Sequence, residues 1–180
     1  TMTGSGSVDS QNFSGSAQSI TLGTLSLGHG TNGGLASNYT LSGSSLTINK
    51  RPLDIDGSKI YDGNTNAANS ILTVSNFATD SATGNTETLG LSGTATISSK
   101  DAGSRTITNA ASALTLSNGS NGGLANNYTF TGGTHNFTVN TRPLDVSGTR
   151  QYDGTTVASS SDLPIPVSYT HLRAHETHTN

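Results

Sequence analysis

The sequence predicts an all-β fold in which antiparallel, sandwich-like modules of about 90 residues follow one another in tandem. Three observations predict it: short stretches that alternate apolar and polar residues, turn-forming residues between these stretches, and blocks of sequence that recur. Only 30% of the 180 residues are hydrophobic, 11% are charged and 22 are glycine. Ser, Thr and Asn are abundant, which suits shallow strands joined by many turns.

Five stretches have the period of two that is typical of half-buried strands. They are residues 46–48, 72–74, 95–97, 114–116 and 137–139. Clusters of Gly, Asn and Asp separate them and predict turns. No stretch shows a helical period of 3.6. The best helix candidate, residues 65–70, is short, so a module that needs a helix is the weaker of the alternatives.

Two blocks of sequence recur at nearly constant spacing. A Gly-Leu-Ala-x-Asn-Tyr-Thr block, which contains Asn38 and Tyr39, returns 89 residues later with Asn127 and Tyr128. An Arg-Pro-Leu-Asp block at 51–54 returns 91 residues later. Its proline is typical of the start of a strand, because proline donates no backbone hydrogen bond.

The spacing of these blocks predicts the domain organisation. We expect residues 1–49 to be the end of one repeat, 50–140 a complete repeat and 141–166 the start of a further one. Because the chain begins within a repeat, we expect the natural protein to be longer at both ends.

The most distinctive motif is Tyr-Asp-Gly. In each of its two copies a basic residue, Lys59 or Arg150, stands two positions before the Tyr. Asp can bond the backbone that follows it, and Gly accepts a positive φ, so the motif predicts a strand that ends in a turn. The Tyr ring can be buried beside that turn. We assign a structural rather than a catalytic role to the repeated motif residues Tyr61, Asp62, Gly63, Tyr152, Asp153, Gly154, Asn38, Tyr39, Asn127 and Tyr128.

The sequence predicts no cofactor, with calcium as the alternative. Asp54, Asp56 and Asp62 could supply the oxygens that Ca²⁺ prefers, although their spacing matches no common calcium loop. Asp80 and Asp101 are further candidates without a pattern.

Composition and motifs exclude several functional classes. There is no Cys, hence no disulfide, thiolate metal site or Cys nucleophile. A net charge of −3 gives no basic surface for nucleic acid, and no apolar run approaches the roughly 20 residues of a membrane span. Hydrolase motifs are missing. We therefore expect neither an enzyme, nor a nucleic-acid partner, nor a membrane span.

These blocks together resemble the YDG-type repeat of large bacterial exoproteins, the filamentous-haemagglutinin-like adhesins. The matching blocks, in order, are residues 59–65, 100–103, 114–117 and 127–130. The resemblance implies Ig-like or β-grasp-like modules in a protein that is secreted or displayed at the bacterial cell surface. It also implies a stalk or spacer role rather than catalysis.

The last residues do not continue the repeat. Residues 167–177 resemble a translated sequencing-library adapter, so we interpret 167–180 as a non-native tail. This interpretation removes His171 and His175, whose spacing of four would otherwise suggest metal ligands.

The sequence thus predicts a structural repeat of a surface adhesin, whose first partners are neighbouring repeats in the same chain. The alternatives are a module that binds surface glycans or proteins, and a non-catalytic linker of an exported enzyme.

Overall fold

The computed structural model describes residues 1–165, and their regular structure is almost entirely strand. The predicted all-β class is therefore confirmed. In chain order the strands are β1 Met2–Thr3, β2 Ala17–Ser19, β3 Ser26–Leu27, β4 Ser45–Thr47, β5 Arg51–Pro52, β6 Asp54–Ile60, β7 Asn66–Ala68, β8 Leu72–Ser75, β9 Leu89–Thr96, β10 Gly103–Thr106, β11 Leu114–Asn118, β12 Tyr128–Thr129 and β13 Asn136–Asn140. One α-helical turn, α1, spans Ala110–Ala113, and 3-10 turns span Ala36–Asn38, Asn69–Ile71 and Ala125–Asn127. None of these described helices could cross a membrane.

The chain divides into two compact units, Thr1–Thr141 and Arg142–Asn180. All thirteen strands found among residues 1–165 lie in the first unit. The described part of the second unit, residues 142–165, contains turns but no strand. The predicted non-native tail at 167–180 lies outside the described residues.

The larger sheet has four strands in the order β10-β13-β6-β8. Its outer pairs are antiparallel, but β13 runs parallel to β6, with Thr138 opposite Ser58 and Asn140 opposite Ile60. The prediction of purely antiparallel modules is thus wrong for this central pair. A parallel pair needs a long crossover connection, and here it comprises all of residues 61–135.

A second sheet has three antiparallel strands in the order β11-β9-β7. Gly93 lies in β9 with a φ of 105°, and a Cβ there would come within 2.3 Å of the Ala113 carbonyl oxygen. Glycine is therefore required for β9 to pass the end of α1. Directly before β6, the short strand β5 pairs in parallel with β12.

One hydrophobic core receives side chains from both sheets. Phe137, Val139 and Ile55 come from the larger sheet, and all are at most 1% exposed. The second sheet contributes mainly small side chains, Ala67 and Ala95. The remaining buried members are Leu53, Ile97, Ile107, Ala110, Leu114, Tyr128 and Phe130. Small residues opposite large ones let a chain with few apolar residues form a closely packed core.

Each of the five predicted strand segments lies in or overlaps a strand, namely β4, β8, β9, β11 and β13. Residues 65–70, the best helix candidate, instead form β7 and the start of a 3-10 turn. The only α-helical turn among residues 1–165 is α1, four residues long. Helix and strand cannot be separated by periodicity in so short a stretch.

Residues 1–49, which we call the leading segment, pair in the same register as residues 50–140, the central segment. In the leading segment β1 pairs with β3, Met2 opposite Leu27. Adding 89 to both numbers gives Leu91 opposite Leu116, which is a pair of β9 with β11.

The second pair of the leading segment follows the same rule. β2 pairs with β4, with Gln18 opposite Leu46, and β10 pairs with β13, with Arg105 opposite Phe137. The offset is 87 for β2 and 91 for β4, because the leading segment lacks two residues near the position that α1 occupies in the central segment and two more in the turn before β4. The Gly-rich turns also agree: Asn32 and Asn121 both adopt a positive φ, 57° and 55°.

Candidate functional site

The Tyr-Asp-Gly motif forms a turn around one cation. The Lys59 ammonium donates to the backbone carbonyls of Asn64 and Asn66 at 2.8 and 2.9 Å and to the Asn64 side-chain oxygen at 3.0 Å. It also lies 3.0 Å from a carboxylate oxygen of Asp62. The Lys59 side chain is only 8% exposed, so these oxygens replace its hydration shell.

Asp62 and Gly63 fix the backbone of this turn. The Asp62 carboxylate accepts a hydrogen bond from the Asn64 amide at 3.1 Å, and Gly63 has a φ of 82°. Both features are those that Asp-Gly turns need. Partial burial would raise the pKa of Asp62, but the hydrogen bonds from Lys59 and Asn64 and the charge of Lys59 outweigh it and lower that pKa below its ordinary value.

Tyr61 lies at the end of β6, half-buried against the core. Its amide donates to the Asn140 carbonyl at 2.9 Å, so the motif extends the parallel pairing of β6 with β13 by one bond. The geometry agrees with a strand that ends in a turn.

The trailing segment, residues 142–165, contains the same turn. The Arg150 guanidinium bonds the carbonyls of Thr155 and Val157 and lies 3.4 Å from the Asp153 carboxylate. Asp153 again accepts from the amide two residues later, at 2.9 Å, and Gly154 has a φ of 73°. Every partner is 91 residues beyond its counterpart around Lys59. Tyr152, however, is 98% exposed.

The Asn-Tyr-Thr block of the central segment lies at the other end of β6. Tyr128 is 3% exposed, donates its hydroxyl to Glu87 at 2.6 Å and accepts from the Ala78 amide at 3.0 Å. Its ring contacts Phe77 edge to face, with 5.9 Å between centroids. Burial and the bond to Glu87 raise the pKa of Tyr128 above its usual value of 10.0. The hydroxyl thus joins two ends of the 78–87 loop.

Asn127 connects the central segment to the leading one. Its side-chain oxygen accepts from the Phe13 amide at 3.0 Å, and its side-chain nitrogen donates to Asn12 at 2.9 Å. Asn38 and Tyr39 are the equivalent residues of the leading segment. Tyr39 is 67% exposed there, in contrast to Tyr128.

The calcium candidates do not converge. Among residues 1–165 no group of three or more His, Asp or Glu could hold a metal ion. Asp54 accepts from the Thr134 amide at 2.7 Å and Asp56 from the Asn136 side chain at 3.3 Å, whereas Asp62 faces Lys59. The position that a cation would take near Asp62 is occupied by the ammonium group. Asp80 accepts from Ala82 and Thr83 within its own loop, at 2.8 Å each.

The central segment, with the turn around Lys59, is the part of the chain that matches a known protein family. A protein-family model described as the YDG domain matches residues 46–136. The chain belongs to the YDG domain family. No curated protein and no solved structure matches it closely enough to be compared. The YDG domain begins in β4, includes the turn around Lys59 and ends at the first residue of β13.

Two residues of the YDG domain have roles that the sequence did not predict. The motif pointed to Tyr61 and Asp62, whereas Lys59 makes most of the contacts; the recurrence of a basic residue two positions before the Tyr was the available signal. The second residue is Glu87, for which no role was predicted. No local pattern could assign that role, since the partner Tyr128 is 41 residues away.

Proposed function

We propose that the chain is a structural, non-catalytic spacer of a large bacterial adhesin that is secreted or displayed at the cell surface, in which sandwich-like YDG domains follow one another in tandem. The observation that carries this proposal is the parallel pairing of β6 with β13, the strands that open and close the central segment.

A parallel pair at the two ends of a module resists stretching. Tension applied through residues 50 and 140 pulls β6 from its first residue and β13 from its last. Because the strands are parallel neighbours, the tension shears the ladder and loads its hydrogen bonds together rather than one by one. The Tyr61 amide adds a bond to the Asn140 carbonyl of β13 at 2.9 Å. The amides of Leu53 and Ile55 bond the carbonyls of Thr129 and Thr134, which precede β13, at 2.8 Å each.

The repeated registers support the tandem arrangement. The leading segment reproduces the β9–β11 and β10–β13 pairings at β1–β3 and β2–β4. Asn127 bonds the leading segment directly, which favours a stiff junction between consecutive repeats. Neighbouring repeats are therefore the proposed first partners, without a cofactor.

Single-molecule stretching of the 180-residue chain tests the spacer role. Pulled through its ends, the chain should show one dominant rupture that releases about 300 Å of contour length, as expected for roughly 90 residues at 3.3–3.6 Å each. The control pulls the same ladder in a different direction, through handles attached at Ile60→Cys and Asn140→Cys. These two residues lie opposite each other, so the force opens the ladder from one end, bond by bond. The rupture force in this geometry should be clearly lower than the force measured through the chain ends. Equal forces in the two geometries would contradict the proposal.

The cellular part of the proposal has a separate test. An antibody against the chain should find the protein at the surface of the source bacterium or in its medium. Detection only inside the cell would refute the secreted location.

One feature favours the second candidate function, a module that binds glycans or proteins. A cleft of about 470 Å³ lies between the leading and central segments and includes Phe13, Arg51, Asp80, Glu87 and Asn121. An aromatic ring beside amides and carboxylates suits a sugar. A glycan array probed with the full chain separates the candidates: saturable binding that Asp80→Ala removes would favour binding, whereas a spacer gives none.

We also infer that residues 167–177 derive from an adapter and are not part of the YDG repeat array. Resequencing the gene with adapters trimmed should replace these residues with further repeat sequence, and their persistence would refute the inference.

A further inference from the structure

The cleft of about 470 Å³ takes its walls from both the leading and the central segment. Gln11 and Phe13 lie on the leading wall, and Asp80, Glu87 and Asn121 lie on the central wall. Neither segment supplies both walls by itself. A ligand that fills the cleft therefore contacts the two segments at once.

Phe13 is the residue at which the cleft and the contact between the segments meet. It lines the cleft, and its amide donates to the Asn127 side chain of the central segment at 3.0 Å. The same carboxamide donates to Asn12 at 2.9 Å. The Lys50 ammonium, which also belongs to the central segment, lies 4.9 Å from the centroid of the Phe13 ring in a cation–π contact. Both the backbone and the ring of Phe13 are thus held from across the junction.

The lining favours a neutral sugar over an acidic one. Asp80 and Glu87 place two carboxylates on the central wall, where they would repel an acidic sugar. The Arg51 guanidinium is already bonded to the backbone and side-chain oxygens of Asn76, at 2.6 and 2.9 Å. An exposed amide such as Gln11 both donates and accepts hydrogen bonds, as sugar hydroxyls do. The ligand class that fits is a neutral oligosaccharide.

We propose that a neutral oligosaccharide in this cleft holds the leading and central segments together, so that binding and closure of their junction are coupled. The inference rests on the second candidate function, the glycan-binding module, and adds a regulation to that site. A ligand that needs both walls stabilises the closed junction, and by linkage a closed junction raises the affinity for the ligand by the same factor. Occupancy of the cleft then sets how stiffly two consecutive repeats are joined.

Hydrogen exchange at the Phe13 amide, followed by NMR, reports closure of the junction because that amide donates to Asn127. The full 180-residue chain is first screened against short neutral oligosaccharides of glucose, galactose, mannose and N-acetylglucosamine. At saturation, the oligosaccharide that binds most tightly should slow exchange at Phe13 by about fivefold or more. Unchanged exchange at saturation would overturn the coupling and leave the glycan-binding module standing. Absence of binding by every oligosaccharide would overturn both.

Two matched substitutions separate coupling from simple shielding of Phe13 by the ligand. Lys50 contacts the Phe13 ring without lining the cleft. Lys50→Met should therefore speed exchange at Phe13 in the free chain and weaken binding of the same oligosaccharide by about threefold or more. Lys100→Met removes an equal charge from an exposed residue outside the cleft and should change neither quantity. Wild-type affinity in Lys50→Met, or equal losses in the two variants, would overturn the proposal.

Discussion

A single cation organises the turn that gives the YDG domain its motif. Lys59 bonds two backbone carbonyl oxygens, one side-chain amide oxygen and one carboxylate, which converge on its ammonium group. The pair with Asp62 contributes little by itself, because Asp62 is 40% exposed. The stabilisation comes mainly from satisfying the converging backbone oxygens.

Replacing Lys59 tests this interpretation. Lys59→Met should lower the free energy of unfolding by about 2 kcal/mol, because it removes the donor from several oxygens. Lys59→Arg should cost less than about 1 kcal/mol, since Arg150 makes the equivalent contacts in the trailing segment. Urea unfolding of both variants measures the difference, and equal losses would mean that the charge has no specific role.

The lowered pKa of Asp62 predicts an effect of acid. A carboxyl group whose pKa is lower in the folded chain stabilises it above the unfolded value of 3.8 and loses that contribution as the pH falls through the folded pKa. Wild type should thus exceed Asp62→Asn by less than about 1 kcal/mol at neutral pH, given the exposure of the group. The two unfolding curves should converge once the pH falls below the folded pKa of Asp62, which lies under 3.8. A constant difference across the range would contradict the assignment.

At the scale of elements, strands were predictable and their partners were not. Alternation at 72–74 and 137–139 predicted β8 and β13, because period two reports which residues face a core. The parallel pairing of β13 with β6 has no local signal, since the partners Thr138 and Ser58 are 80 residues apart. The antiparallel expectation failed for this reason.

The 78–87 loop depends on the Tyr128 hydroxyl. Tyr128→Phe should lower stability by about 1–2 kcal/mol, because the Ala78 amide and Glu87 both lose a partner. The raised pKa gives a second readout. The neutral phenol stabilises the fold below the unfolded pKa of 10.0, and that contribution is lost as the pH rises through the folded pKa. Wild type should therefore lose stability above pH 10 more steeply than Tyr128→Phe, as alkaline unfolding would reveal.

At the scale of the whole molecule, the leading and central segments share a pattern of strand pairing but differ in how deeply their apolar side chains are buried. Phe137 and Leu46 have equivalent positions, yet only Phe137 is enclosed. The sequence predicts a tandem repeat from the motifs that recur at 89 and 91 residues, and this stays a prediction. The sequence could not predict in which copy the apolar side chains are buried, because burial depends on strands contributed from elsewhere in the chain.

This difference predicts unequal effects of one substitution. Phe137→Ala should cost about 3–5 kcal/mol, because it leaves a cavity in the core. Leu46→Ala should cost less than about 1 kcal/mol in the monomer, since its side chain is 48% exposed. Chemical denaturation at low protein concentration measures both, and similar losses would show that the leading segment is packed like the central one.

The most direct test of the repeated fold uses engineered cysteines, which are unambiguous because the chain has none. Thr3 lies opposite Ser26, and Ser92 lies opposite Thr115 at the equivalent place. Replacing either pair with cysteine should give a disulfide to a similar extent under mild oxidation, because directly opposite residues lie within disulfide range. The pair Thr3→Cys and Leu27→Cys, one residue out of register, should not. Crosslinking at 92 and 115 without crosslinking at 3 and 26 would contradict the claim that the leading segment repeats the strand pairing of the YDG domain.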